Sequence, residues 1–194
     1  MKKRIGFFTE KYQKCREFLR EIKNYIYISI AVFLAFFLIG FFYPVFLREE
    51  IFNFIKELMM RFEGRGFAGT FWLIFSNNFQ AGFFAIILGI GFGIFPVAAT
   101  VANGYLLGFV SNYAVSEQGI FILWRLLPHG LFELPAIILS ISVGLKIGID
   151  FFRKNRIKIL RENLGKALLF FVFIVIPLLV IAALIESLLI FYLG

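Results

Sequence analysis

The chain of 194 residues is strongly apolar, with 61% hydrophobic residues, 16% charged residues and 29 phenylalanines. A soluble domain usually has about half apolar and about a quarter charged residues, and it could not bury this much apolar surface in its own core. The composition therefore excludes a soluble globular domain and predicts an integral membrane protein. In such a protein the net charge of +8 indicates orientation and contact with anionic lipid heads rather than nucleic-acid binding.

The N-terminal segment 1–24 is basic and amphipathic. It contains eight Lys and Arg residues, and its apolar residues recur from Ile5 to Ile26 at spacings of three and four. This pattern predicts an amphipathic cytoplasmic helix that lies on the inner leaflet or packs against its own bundle. The alternative is a docking helix for a membrane-protein partner or for a second copy, as in a homodimer. The single cysteine, Cys15, excludes an internal disulfide.

Residues 25–194 predict the transmembrane domain. The stretch 25–47 has no charge, the stretch 66–116 has none for 51 residues, and the stretches 118–145 and 167–194 have few charges. One crossing needs about 20 residues, so the 51-residue stretch is long enough for two. We therefore predict an all-α, polytopic bundle of five helices at 25–47, 68–94, 96–115, 120–146 and 167–193.

Two charged segments separate these helices and predict the orientation. The segment 48–66 balances four basic against four acidic residues, and its apolar residues share one face, which predicts an external amphipathic linker that could also cap the bundle. The segment 146–166 holds seven basic residues and is predicted to be a cytoplasmic loop. The positive-inside rule places 1–24 and 146–166 in the cytoplasm. We expect a multi-pass protein of the cell membrane.

A short internal similarity links the second and fourth predicted helices. Residues 85–94 (AIILGIGFGI) and 136–145 (AIILSISVGL) are identical at six of ten positions, and the same offset aligns Asn78 with His129. Both segments run from outside to inside, so a duplication would be of the parallel type. A chance match between two apolar segments is the alternative.

The fourth predicted helix contains the candidate site. Arg125, His129 and Glu133 are spaced by four residues, so they share one face. Pro128 and Pro135 flank the last two, and each removes a backbone donor and bends the helix. An ionisable side chain within a span is costly unless it faces the bundle interior or water. We therefore expect His129 and Glu133 to point inward.

Depth along the helices adds further polar residues to this candidate site. At about 1.5 Å per residue, Asn78, Asn103 and Glu186 lie at a depth similar to that of His129, which predicts one polar cluster. His129 and Glu133 could bind a divalent cation, relay a proton, or only hydrogen-bond each other. A catalytic metal centre needs more ligands than one histidine supplies, so we predict that the protein is not an enzyme. A metal-dependent hydrolase remains the weakest alternative.

The string LPHGLFELPAI (127–137), together with NNFQAGFFAIILGIGFGI (77–94) and NGYLLG (103–108), resembles the stage II sporulation protein M family over roughly residues 20–194. The resemblance implies a polytopic membrane scaffold that holds two peptidoglycan-degrading partners at an engulfing membrane. It also implies motif positions in this chain, namely Asn78, Asn103, Pro128, His129, Gly130, Glu133 and Pro135.

Two functions are therefore expected. The protein handles a small cation, proton or solute through the buried polar site, as a channel or transporter does, or it is a non-catalytic scaffold for partner proteins. The cost of burying ionisable groups favours the first.

Overall fold

The computed structural model describes residues 2–193, with side chains at 8–123 and 130–192. The described chain contains no strand and forms eight α-helices. Short 3-10 turns at Leu88–Ile90 and Ile120–Ile122 and a π turn at Phe171–Val175 connect some of them. The helices are α1 Lys2–Glu21, α2 Lys23–Phe42, α3 Arg48–Phe62, α4 Phe67–Ile87, α5 Ile94–Gln118, α6 Leu123–Asp150, α7 Arg156–Phe170 and α8 Ile176–Leu193.

Five helical stretches of the described chain are long and apolar enough to cross a membrane. They are Lys23–Phe42, Phe67–Ile90, Ile94–Gln118, Gly130–Asp150 and Arg156–Tyr192. The predicted all-α bundle with five candidate spans is confirmed. The five spans alternate in direction between two ends, which we call the basic end (α1 and the turns 91–93 and 151–155) and the α3 end.

The helix boundaries differ from the prediction by a few residues at several places, and two of these differences have a clear reason. The first span ends at Phe42 rather than at 47, because Pro44 disfavours a helical conformation at the residue before it. The predicted loop 146–166 is helical except at 151–155, since α6 continues to Asp150 and α7 begins at Arg156. Four charged side chains of this segment (Lys146, Asp150, Arg153 and Lys166) form ion pairs, as described below, so these charges do not require a solvated loop.

The last two helices form one continuous rod. The stretch Arg156–Tyr192 has 37 residues, which is about 55 Å of helix against a hydrocarbon layer of about 30 Å. Its first part therefore extends beyond the hydrocarbon layer. The π turn within it directly precedes Pro177, which lacks the N–H that would continue the regular hydrogen-bond pattern.

Helix α1 packs against this extended rod through its apolar face. Cys15, Phe18 and Ile22 are at most 1% exposed, and the rings of Phe18 and Phe170 lie 5.7 Å apart in an edge-to-face arrangement. The Sγ atom of Cys15 lies 4.0 Å from the carbonyl oxygen of Leu169. Of the two placements expected for this helix within one chain, the structure shows packing against the bundle.

Glycines bring α2 and α5 into close contact. A Cβ atom on Gly104 would lie 2.6 Å from the Phe33 carbonyl oxygen, and one on Gly108 would overlap the Phe37 carbonyl oxygen. Phe33 and Phe37 follow each other in the same order as Gly104 and Gly108, so α2 and α5 run parallel. Small residues allow such backbone contact between membrane helices.

A second set of glycines joins α4 to α6. A Cβ atom on Gly82 would lie 3.0 Å from Ser140 Oγ, and further along Gly89 faces the backbone of Gly144. The two helices therefore run parallel, as expected from the similarity of 85–94 and 136–145. Whether that similarity records a duplication stays a prediction.

Helices α4 and α5 separate from each other after the turn that connects them. Phe92 and Gly93 both adopt left-handed backbone angles, with φ of 59° and 74°, which makes the turn tight. From there α4 packs mainly against α6 and α8, whereas α5 packs mainly against α2 and α6. This divergence leaves a gap between them towards the α3 end.

Candidate functional site

The gap is a cleft of about 350 Å³, which we call the α4–α5 cleft. Helices α4 and α5 form its sides, α6 and α8 form its base, and α3 closes it at the α3 end with Phe54, Leu58, Arg61 and Phe62. Most of its lining is apolar, with Leu73, Ile74, Ala81, Leu106, Leu107, Val110, Leu134 and Ile137 among the residues. Its polar lining consists of Arg61, Asn77, Asn78, Asn103, Glu133 and Glu186.

Four residues that the sequence placed in one polar cluster lie together in this cleft. Asn78 comes from α4, Asn103 from α5, Glu133 from α6 and Glu186 from α8. Counted along each helix at about 1.5 Å per residue, they lie between about 10 and 22 Å from the helix ends nearest α3. All four residues therefore line one cleft, at depths that differ by about 12 Å, and their grouping into one functional site stays a prediction.

The carboxylates and the carboxamides differ in burial. The Oε2 atoms of Glu133 and Glu186 are buried, and Asn78 is 8% exposed. The side chain of Asn103 is exposed, and its Nδ2 donates a hydrogen bond to the Ala99 carbonyl oxygen at 2.8 Å. The two carboxylates thus lie deep in the cleft, and the Asn103 amide lies at its edge.

The other predicted site residues either do not line the cleft or have side chains that the structure does not describe. Arg125, Pro128 and His129 belong to α6 by their backbone, but their side chains lie outside the described residues. Gly130 and Pro135 are not in the cleft lining, and Pro135 is exposed. Residues 8–123 and 130–192 contain no group of three or more His, Cys, Asp or Glu that could hold a metal ion. The metal pair of His129 and Glu133 stays a prediction.

Two polar residues of the cleft were missed by the sequence argument. Asn77 directly precedes Asn78, and this Asn-Asn pair inside an uncharged stretch was a usable signal. Arg61 reaches the cleft only because α3 folds over the end of the bundle. No spacing within α3 indicates that contact.

The comparison with protein families matches the model described as stage II sporulation protein M over residues 29–189. The chain belongs to that family. The match covers most of the chain and includes every span, so the family assignment applies to the whole bundle. No curated relative and no solved structure matches the chain.

The three strings that carried the family resemblance all border the cleft or the glycine contacts. The string 77–94 contains Asn78 of the cleft and Gly89 of the α4–α6 contact. The string 103–108 contains Asn103 of the cleft and Gly104, which contacts α2. The string 127–137 contains Glu133 of the cleft. Asn78, Asn103 and Glu133 of these strings line the cleft, and Gly89 and Gly104 set the helix spacing beside it.

A second polar cluster at the basic end was also missed. The Asp150 carboxylate is 1% exposed, and its Oδ2 accepts hydrogen bonds at 2.6 Å from both Lys146 Nζ and Asn163 Nδ2. Its Oδ1 lies 3.0 Å from Arg153 Nε. Two cations and one amide therefore stabilise this buried carboxylate, and the cluster joins the end of α6 to α7.

The same cluster reaches α1 through Glu21. The Glu21 carboxylate lies 2.6 Å from Lys166 Nζ and 3.9 Å from Lys146 Nζ. Nearby on α1, burial raises the pKa of the Cys15 thiol. Ion pairs and apolar packing together hold α1 on the basic end of the bundle.

Proposed function

We propose that the protein binds, and passes across the membrane, a small solute with a cationic group, using the α4–α5 cleft as its site. The observation that carries this proposal is the convergence of Glu133 and Glu186 with Asn78 and Asn103 in one cleft inside the apolar bundle. Carboxylates in a poorly solvated site favour a cation, because opposite charges attract more strongly at low dielectric constant. Polar residues in spans typically mark such pathways.

The size of the cleft favours a hydrated or organic cation over a bare metal ion. A volume of about 350 Å³ holds roughly ten waters at about 30 Å³ each. It falls at the lower end of the range of roughly 300–1,000 Å³ for small-molecule sites, which are largely apolar with a few placed polar groups. A divalent cation instead requires oxygen ligands that close around it at about 2–2.6 Å. Arg61, at the α3 edge, offsets part of the acidic charge.

The test uses tetramethylammonium, a permanent cation that cannot cross lipid as a neutral base. The full chain is reconstituted in liposomes, and binding and uptake of radiolabelled tetramethylammonium are measured for the wild type, Glu133→Gln and Glu186→Gln. We expect each substitution to lower both by at least tenfold. Glu117→Gln, which removes an exposed carboxylate at the end of α5 outside the cleft, is the matched control. Equal binding by all four proteins would refute the proposal.

We also propose that the basic end faces the cytoplasm and contacts anionic lipid heads. Residues 1–23 and 146–166 hold fifteen of the chain's 20 basic residues and only five of its 12 acidic residues, which is the asymmetry that the positive-inside rule uses. Arg16 and Arg20 on α1 are exposed. Trypsin should therefore cut α1 in inverted membrane vesicles of the cell membrane and leave it intact in right-side-out vesicles.

A membrane scaffold is the second candidate, and family membership is the observation that favours it. A scaffold needs a rigid bundle, which the glycine contacts provide, and it does not need an ion in the cleft. Cross-linking of partner proteins in native membranes separates the two functions. Glu133→Gln should leave partner recovery unchanged if the cleft binds a solute, and a loss of partners with normal tetramethylammonium binding would favour the scaffold.

A further inference from the structure

The α4–α5 cleft is open on the side that faces away from α6. Asn77 and Ala81 on α4 and Asn103 on α5 line the cleft and are exposed, so the described chain leaves this side uncovered. We call these three residues the lateral mouth. Asn77 is ten residues from the start of α4, and Asn103 is nine from the start of α5, which is about 15 and 14 Å along the helices. The lateral mouth therefore lies near the middle of a hydrocarbon layer of about 30 Å.

One amide inside the cleft, that of Asn78, has no hydrogen-bond partner among the side chains and backbone that the structure describes. The Asn78 side chain is 8% exposed, lines the cleft, and makes no hydrogen bond to any residue that the structure describes. A buried amide is stabilised by a hydrogen bond, and lipid chains cannot supply one. The Asn78 amide is therefore available to a polar group of a ligand or to water in the cleft.

The surface around the lateral mouth is apolar. Leu106, Leu107 and Val110 line the α5 side of the cleft, and on α4 the ring of Phe84 is 50% exposed one turn beyond Gln80. A ligand that enters from the bilayer through this opening would place a polar head against the Asn and Glu side chains and leave an alkyl chain on these helices.

We infer that the ligand of the cleft is a single-chain cationic amphiphile that enters laterally from the bilayer. This inference rests on the proposed function, because it takes the cation site at Glu133 and Glu186 as given and adds the route and the alkyl chain. The acidic base of the cleft is complementary to a cationic head. The apolar walls of the cleft are complementary to the alkyl chain, and the lateral mouth connects the cleft to the bilayer.

The test compares two ligands with the same head, tetramethylammonium and dodecyltrimethylammonium. Displacement of radiolabelled tetramethylammonium is measured on the full chain in lipid nanodiscs, with the long-chain ligand expressed as its mole fraction in the bilayer. We expect the long-chain ligand to displace at least tenfold better than unlabelled tetramethylammonium. This comparison needs no variant.

A bulky residue at the lateral mouth tests the route. Ala81→Phe should reduce the ratio of the two affinities at least tenfold, because the added ring obstructs the path of the chain. Ala102→Phe is the matched control, since Ala102 is exposed on α5 and does not line the cleft. Its ratio should stay within twofold of the wild type. The partition of the amphiphile into lipid is the same for both variants.

The outcomes separate the two proposals. If tetramethylammonium does not bind the wild type, the proposed function fails and this inference fails with it. If tetramethylammonium binds but chain length and Ala81→Phe have no effect, lateral entry alone is overturned. A disulfide between two copies of a Cys15→Ser, Ala81→Cys protein in native membranes would also overturn it, because a second copy would then cover the mouth.

Discussion

Replacing Gly144 with alanine tests the contact that sets the distance between α4 and α6. A Cβ atom there would lie 2.7 Å from Pro96 Cγ and would overlap the Ala85 carbonyl oxygen, where nonbonded carbon contacts are normally about 3.5–4.0 Å. The obstructing atoms are backbone and a proline ring, so a rotamer change cannot relieve the overlap. Helix α6 must therefore move about 1 Å away from Pro96 on α5, by the difference between these distances, and must also separate from Ala85 on α4.

The expected magnitude follows from two opposing effects. Alanine gains about 1 kcal/mol over glycine in a helix interior, whereas forcing extra volume into a packed interface costs about 1–3 kcal/mol. Because the overlap is with backbone, we expect the upper end of that cost and a net loss of about 2 kcal/mol in the free energy of unfolding. For a chain of this size, this corresponds to a thermal midpoint about 4–8 °C lower.

Gly165→Ala is the matched control for this prediction. Gly165 lies within α7, and a Cβ atom there would meet nothing within 4 Å, so only the gain of about 1 kcal/mol applies. Circular dichroism during heating in one detergent should show the two variants moving in opposite directions from the wild type. If Gly144→Ala is as stable as Gly165→Ala, the α4–α6 spacing does not depend on this glycine and the packing argument is refuted.

Two further predictions concern the basic end. Asp150→Asn should lower the free energy of unfolding by about 3–5 kcal/mol, because it leaves the Lys146 ammonium buried without its carboxylate. Adding Lys146→Met should recover most of that loss in the same heating assay, and a double variant no more stable than the single one would contradict the reasoning. Burial raises the pKa of Cys15 above its ordinary value of 9.0, so the thiol contributes full stability below pH 9 and loses it as the pH rises through the folded value. The wild type should therefore lose more stability than Cys15→Ala between pH 7 and pH 10. Equal losses in the two proteins would show that the thiol has the same pKa in the folded and unfolded states, which would contradict the prediction.

Local patterns in the sequence were enough to predict the membrane class and the five candidate spans. Hydropathy and charge can be evaluated for each segment separately, because a helix in lipid forms all its backbone hydrogen bonds within itself. The same one-dimensional argument placed Asn78, Asn103, Glu133 and Glu186 at one level, since helix rise converts residue number into depth. Their role in binding stays a prediction.

The buried charge cluster shows where that argument stops. Lys146 and Asp150 are spaced by four residues, which is visible in the sequence, but the same spacing is common on solvated helices. Only the packing of Asn163 and α1 against them distinguishes a buried cluster from a basic loop. The apparent loop 146–166 was assigned from charge alone, and charge alone does not report burial.

From its sequence alone, this protein is a five-span helical bundle with a polar level inside it, because apolar length and the cost of buried charge are properties of single segments. The tertiary structure alone decided that α4 and α5 part after their turn, that α3 closes the resulting cleft, and that its lateral side is open. Those features depend on which glycine-containing helix faces pack against each other. Such pairs join segments that are distant in the chain, and a local sequence pattern does not specify them.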